Sequence, residues 1–263
     1  MDLGIRGEPA LVVGASEGIG YECAKGLAEE GARVMLCSRN EQKLATAAAA
    51  LERDCGVTVG RFAADITKPE DVARLRAWVG EQTTTLPILV NAVGGSHRAL
   101  FEDLDDSQWI ASFEFNVLGA VRVVRAHLDL LKQARNARIV ILGAAGARMP
   151  YPHQIVSNVS KAGLIALVKT LGAELQPHGI RVNSVSPGRT LTPLWIQRAE
   201  KLARERGVSP DEIVREFSAE IPMQRFGQPE EIASMVVFLA SHKTSYVTGQ
   251  SILVDGGIAR GLI

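Results

Sequence analysis

Three glycines, Gly14, Gly18 and Gly20, follow the apolar run Ala10–Val13 in the segment Gly14-Ala15-Ser16-Glu17-Gly18-Ile19-Gly20. That spacing suits phosphate binding. It permits a tight turn, a close approach of backbone to phosphate, and tight packing of the next helix on the strand. The free amides at the helix start then receive a pyrophosphate. Ser38 and Arg39 follow the second apolar run. A site for an unphosphorylated adenosine ribose places Asp or Glu there to accept from the hydroxyls. A serine and an arginine instead suit a 2′-phosphate, which favours NADP(H) over NAD(H). Glu17 pulls the other way, because its charge could repel that phosphate. A second stretch, Ile139–Lys161, begins apolar, turns through Gly143, Gly146 and Pro150, and enters a helix carrying Ser157 and Lys161. Tyr151 and His153 lie in its loop and bring two groups able to donate protons.

The elements that must hold these residues alternate along the chain. Apolar strand-like runs lie at Ala10–Gly14, Arg33–Cys37, Val57–Ala63, Pro87–Asn91, Arg138–Leu142, Ile180–Val185 and Ser251–Val254. Helical patterns fall between them at Tyr21–Glu30, Glu41–Arg53, Pro69–Gln82, Asp106–Gln133 and Ser157–Gln176, and a last one at Pro229–Ala240. The segment 190–220 is polar, with two helical patches split near Gly207–Pro210. Strand–helix alternation predicts one α/β domain over residues 1–263: a doubly wound, seven-stranded parallel sheet with helices on both faces.

Composition bounds the function. Apolar residues make up 46% and charged residues 22%, which suits one large core and excludes a disordered chain. Lys and Arg balance Asp and Glu at 29 each, with no long block of like charge, so no nucleic-acid partner is expected. No apolar run approaches the ~20 residues that span a bilayer, and residues 1–10 lack the apolar region of a signal peptide. Cys23, Cys37 and Cys55 have no metal-ligand spacing and read as reduced thiols of a cytoplasmic protein; no metal cluster is visible.

In these motifs the chain resembles the short-chain dehydrogenase/reductase family across nearly its whole length. The resemblance rests on Gly14–Gly20, Asp65-Ile66, Asn91-Ala92-Val93-Gly94 and Asn116. Asn183–Gly188, Arg225 with Pro229–Ala233, Thr248-Gly249 and Val254–Gly257 continue it in register. It implies a single-domain Rossmann fold in which Asp65 and Ile66 hold the adenine and Asn91, Ala92 and Gly94 line the cofactor channel. Pro187, Gly188, Thr190 and Thr192 would face the nicotinamide, and Lys161 its ribose. Residues 190–220 would form the substrate lid. The family pairs two long helices across a two-fold axis, which implies a homodimer or homotetramer; here these are Asp106–Gln133 and Ser157–Gln176, each apolar on more than one face.

The family's catalytic tetrad is Asn, Ser, Tyr and Lys. Asn116 and Lys161 match its ends, but Ala144 and Ser157 stand at the serine and tyrosine positions. The enoyl-reductase spacing, with tyrosine seven residues before the lysine, gives Gln154. A tyrosine phenol, acidified by the lysine charge, ordinarily protonates the carbonyl oxygen while the serine donates a second hydrogen bond. Alanine donates nothing, and a serine hydroxyl is shorter and far less acidic. Three readings remain open. One is a reductase or dehydrogenase acting on a small carbonyl or alcohol substrate, with a relocated donor in Tyr151, in His153 or in a water chain through Lys161 and Asn116; His97 and His127 are poorer candidates. The second is a redox-neutral dehydratase, isomerase or cyclase. The third is a non-catalytic nucleotide-binding protein. Leu194, Trp195, Ile196, Ile213, Phe217, Ile221 and Met223 suggest an amphipathic lid over a largely apolar pocket, where Arg148 and Arg189 could meet an acidic group.

Overall fold

The computed structural model describes residues 1–261. Seven strands form one parallel sheet: β1 Pro9–Val13, β2 Arg33–Ser38, β3 Gly60–Ala63, β4 Ile88–Asn91, β5 Arg138–Leu142, β6 Arg181–Pro187 and β7 Ser251–Val254. Their order across the sheet is β3-β2-β1-β4-β5-β6-β7. Side-chain alternation explains why the central runs are apolar throughout. Ala10 and Val12 enter the core on one face, and Leu11 and Val13 enter the core on the other.

Ten helices follow in chain order: α1 Gly18–Glu29, α2 Glu41–Cys55, α3 Pro69–Gln82, α4 Asp106–Phe113 and α5 Gly119–Ala126. After them come α6 Leu128–Gln133, α7 Ile155–Glu174, α8 Pro193–Arg206, α9 Pro210–Ser218 and α10 Pro229–Leu239. Residues of α1, α2 and α10 complete one core; those of α3, α5, α6 and α7 complete the other. Proline at the first turn fixes the starts of α3, α8, α9 and α10. At the edge opposite the strand C-termini, the buried Arg138 guanidinium donates to the Ala240 carbonyl at 2.7 Å and pairs with Glu8.

The chain reversal between β1 and β4 opens a crevice at the carboxyl ends of the strands, the usual ligand position in such sheets. Gly14, Ser38, Ala64, Ala92, Gly143 and Gly188 sit at or just past these ends, so six segments distant in sequence converge on one space.

Several boundaries differ from the sequence reading. The single helix Asp106–Gln133 is three, with a π-turn at Glu114–Leu118 and a break at His127. The break has a local cause: the His127 ring nitrogen bonds the Val123 carbonyl at 2.8 Å, and the residue leaves helical geometry. β3 starts at Gly60 instead of Val57, since Gly56 ends α2 in the left-handed conformation and the Glu52 side chain takes the Val59 amide. α7 starts at Ile155, before Ser157, and ends at Glu174, where Pro177 forbids continuation. α7 is also an exception to the expectation that no segment reaches membrane-spanning length. By length and composition alone it could cross a bilayer, but it packs on β6 and carries the buried Lys161.

Candidate active site

Two adjoining cavities, of about 590 and 530 Å³, occupy the crevice. The first is lined by the glycine loop, including Gly14, Ser16, Glu17, Gly18, Ile19 and Gly20. The loop's closeness is enforced by packing. A Cβ built on Gly20 would lie 2.0 Å from the Gly14 carbonyl oxygen, so α1 can start this near β1 only with glycine there. Ser38, Arg39 and Ile66 line the same cavity, as do Ala92, Gly94, Thr190 and Thr192. Ser38 is buried, and its Oγ has no partner among the described residues.

Two expected contacts fall elsewhere. Asp65 does not line the cavity; its carboxylate accepts from the Thr67 amide at 3.0 Å and hydroxyl at 2.8 Å, and fixes the turn into α3. Its neighbours Ala64 and Ile66 take the wall instead. Asn91 is buried behind Ala92, its Oδ1 unpartnered among the described residues. Glu17 is not a free repelling charge. Lys43 on α2 binds it at 2.8 Å and lines the same cavity, so the mouth of the phosphate region holds Arg39 and Lys43 against one carboxylate. Lys43 escapes sequence reading because it lies in the first turn of α2, outside any motif.

The two cavities share Ala144, Gln154, Ser157, Lys161, Pro187 and Gly188 on their walls. Ser157 and Lys161 are four residues apart on α7 and therefore stack on one helix face. The Ser157 hydroxyl donates to the Gly95 carbonyl at a long 3.4 Å. Lys161 is buried against the loop after β4, with its Nζ so close that a Cβ on Gly94 would lie 2.3 Å away. Burial alone pulls its pKa down to about 8. Asn116 lies behind this wall, in the π-turn. Its Oδ1 accepts from the Gly95 amide at 3.0 Å and its Nδ2 donates to the Ser112 carbonyl at 3.0 Å. It thereby shapes the loop that faces Lys161.

Of the proposed donors, Tyr151 and His153 line only the second cavity. The Tyr151 hydroxyl is buried without a partner among the described residues, and desolvation raises its pKa. His153 is exposed, with φ of 61°. His97 meets Gln108 at 3.2 Å, and His127 is buried in the helical layer; neither lines either of the two cavities. Gln154, which stands where the enoyl-reductase spacing puts a tyrosine, lines both cavities and accepts from Ser96 at 2.9 Å. Arg148 turns away to donate to the Ser251 carbonyl at 2.9 Å, whereas Arg189 stays in the second cavity.

Fold and crevice define a nucleotide-fold protein with a composite site, and comparison with known proteins gives its family. The family model described as Enoyl-(Acyl carrier protein) reductase matches residues 14–259, and the chain belongs to the short-chain dehydrogenase/reductase family. It is similar to L-sorbose reductase from Gluconobacter frateurii, whose crystal structure holds NADPH and L-sorbose: 34% identity, 100% of both chains covered, TM-score 0.97. A putative ketoacyl reductase of Streptomyces coelicolor is 34% identical over 95% of this chain and 97% of its own length. An NADPH-bound short-chain oxidoreductase from Pseudomonas aeruginosa PAO1, described as containing an atypical catalytic center, is 30% identical over 97% of each chain, with a TM-score of 0.87.

The buried lysine makes a stability prediction. Below pH 8 Lys161 is charged in both folded and unfolded chains, and its desolvation cost is present in full. Between about pH 8 and 10.5 the unfolded chain binds the extra proton, so this contribution to stability rises with pH. Lys161→Met removes that rise. In urea titrations the variant should be the more stable by roughly 3 kcal/mol at pH 7, with the gap closing toward pH 10.5; a gap independent of pH would contradict the assignment.

Proposed function

We propose that the chain is an NADP(H)-dependent oxidoreductase that interconverts a small or medium carbonyl compound and its alcohol where the two cavities meet. The observation that supports this reading is the wall of Ala144, Ser157, Lys161, Pro187 and Gly188, which lines both cavities and so could serve a cofactor in one and a substrate in the other. The fit of the first cavity to a dinucleotide is supported by the tight Gly14–Gly20 cradle, by the unpartnered buried Ser38 hydroxyl, and by NADPH in similar structures. Ser38, Arg39 and Lys43 would hold the 2′-phosphate; Ser16, Gly18 and Ile19 the pyrophosphate; Ile66 the adenine; Ala92, Gly94, Pro187, Gly188, Thr190 and Thr192 the nicotinamide half. Asp65 and Asn91 support these walls from behind.

When bound, the nicotinamide supplies hydride to the carbonyl carbon or accepts it from the alcohol. The protein's task is the proton on oxygen. Ala144 and Ser157 occupy the family's serine and tyrosine positions, so the usual acid is missing. Lys161 takes over that role in this reading: it is protonated at neutral pH, sits at the junction, and has a pKa within reach of working pH. Ser157 on the same helix face, or one water, passes its proton to the carbonyl oxygen. Tyr151 is the weaker acid, its pKa raised by burial, and lies only in the substrate cavity.

Residues 190–220 act as the lid in this proposal. Leu194 and Trp195 at the start of α8 line both cavities, and Trp195 packs edge-on against Phe217 and Phe226. The exposed Ile110 and Phe113 on α4 and Val159 on α7 support pairing of two copies through these helices.

Two measurements test the assignment. Arg39→Ala and Lys43→Ala should each weaken NADPH binding about ten-fold, an ion-pair loss near 1.4 kcal/mol, and leave NADH nearly unchanged by fluorescence titration; equal losses for both nucleotides would refute the 2′-phosphate clamp. For reduction, kcat/KM reports the free enzyme and should fall above about pH 8 as Lys161 loses its proton. Tyr151→Phe should keep that limb, and Ser157→Ala should lower kcat about 10²-fold. Loss of all turnover in Tyr151→Phe would assign the proton to the phenol instead.

A further inference from the structure

The second cavity is more cationic than the chain that forms it. The chain as a whole has zero formal net charge, yet Arg98, Lys161, Arg189 and Arg198 line this cavity against the single carboxylate of Glu220. The three arginines come from separate segments: the loop after β4, the loop after β6, and α8. Gathering like charges from three segments around one space costs energy unless an anion shares it.

Only one of the three is neutralised. Arg189 pairs with Glu220 at 2.6 Å and donates to the Phe217 carbonyl at 2.5 Å. Arg98 and Arg198 have no carboxylate partner among the described residues. Arg198 is positioned by cation–π contact instead: its Cζ lies 4.2 Å from the Trp195 ring centroid and 5.2 Å from that of Phe217. Such contact uses no N–H donor, so the guanidinium keeps its donors for an oxyanion. Burial and the neighbouring arginines lower the pKa of Arg198 to about 10 and depress that of Arg98, as mutual repulsion around an unneutralised cavity requires.

We propose that Arg98 and Arg198 form an anion subsite, and that the substrate is an oxo acid. Its carbonyl would lie at Ser157 and Lys161, its carboxylate on the two arginines, and its apolar body against Trp195, Phe217 and Tyr151. The proposal rests on the assigned reaction for the position of the carbonyl, but the subsite is defined by cavity residues alone. The lid supplies one of the two arginines and both aromatic rings, so the anion would also hold the lid in place.

The test separates the subsite from the reaction. The NADPH-saturated protein is titrated calorimetrically with benzoylformate, 3-benzoylpropanoate and 4-benzoylbutanoate, each beside its methyl ester, and with inorganic phosphate. At least one acid should bind ten-fold or more tightly than its ester, and that preference should shrink as KCl is raised. Arg98→Gln and Arg198→Gln should each abolish it, and Arg198→Lys should restore only part of it. NADPH titration of each variant serves as the folding control, and the exposed Arg98 provides a variant that cannot disturb the core. Equal binding of acids and esters, or binding of none while NADPH binds, overturns the subsite. Tighter binding of phosphate than of every acid would overturn the oxo-acid assignment. Failure of NADPH itself to bind would refute the oxidoreductase reading instead.

Discussion

A buried ammonium with no carboxylate partner among the described residues is the constraint around which this site is built. Lys161 lies on the inner face of α7, and burial is the sole cause of its depressed pKa. Holding it there requires glycine at position 94, a loop fixed by the Asn116 side chain, and a helix long enough to anchor the lysine against the sheet. Burying the ammonium itself costs the fold stability. The cost is tolerable because a large two-faced core, formed by seven parallel strands between helical layers, supplies the stability. A charge placed at such expense is suited to binding an anion-bearing cofactor or to moving a proton, and in the proposed reaction its place on the walls of both cavities serves both.

The π-turn at Glu114–Leu118 belongs to the same device. Extra width in one helical turn points the Asn116 amide at Gly95, so the loop after β4 is held from behind while its front faces Lys161 and Ser157. Gln154 and Ser96 close the rim through their own hydrogen bond. The polar groups thus form a shell around a space that Ala144 leaves open on one side. On the side of the second cavity this shell faces Trp195 and Phe217.

Much of this was legible in the sequence, for identifiable reasons. Parallel strands buried on both faces give unbroken apolar runs, so Arg138–Leu142 and Ser251–Val254 had the right bounds, and Pro69 fixed the start of α3. The glycine loop was readable because close backbone approach has few sequence solutions. What escaped was whatever depends on three-dimensional convergence. Lys43, Arg98 and Arg198 lie in no motif, and only the packing of α2, the loop after β4 and α8 brings them to the cavities. The division of the helix after Asp105 was hidden because π-turns leave no periodicity of their own. The family resemblance assigns Asp65 to the adenine, whereas its carboxylate accepts from the Thr67 amide and hydroxyl, a local turn that the motif does not reveal.

The proposed reading has hydride transferred at a site whose proton comes from Lys161. The most direct test is a single-turnover reaction with NADPH deuterated at the transferring position, run against a panel of small ketones and oxo acids. The account predicts one deuterium on the carbinol carbon of the product for each NADPH oxidised, with a primary isotope effect on the loss of nicotinamide absorbance. Tight NADPH binding without deuterium transfer to any member of the panel, or conversion with no change in that absorbance, would contradict it.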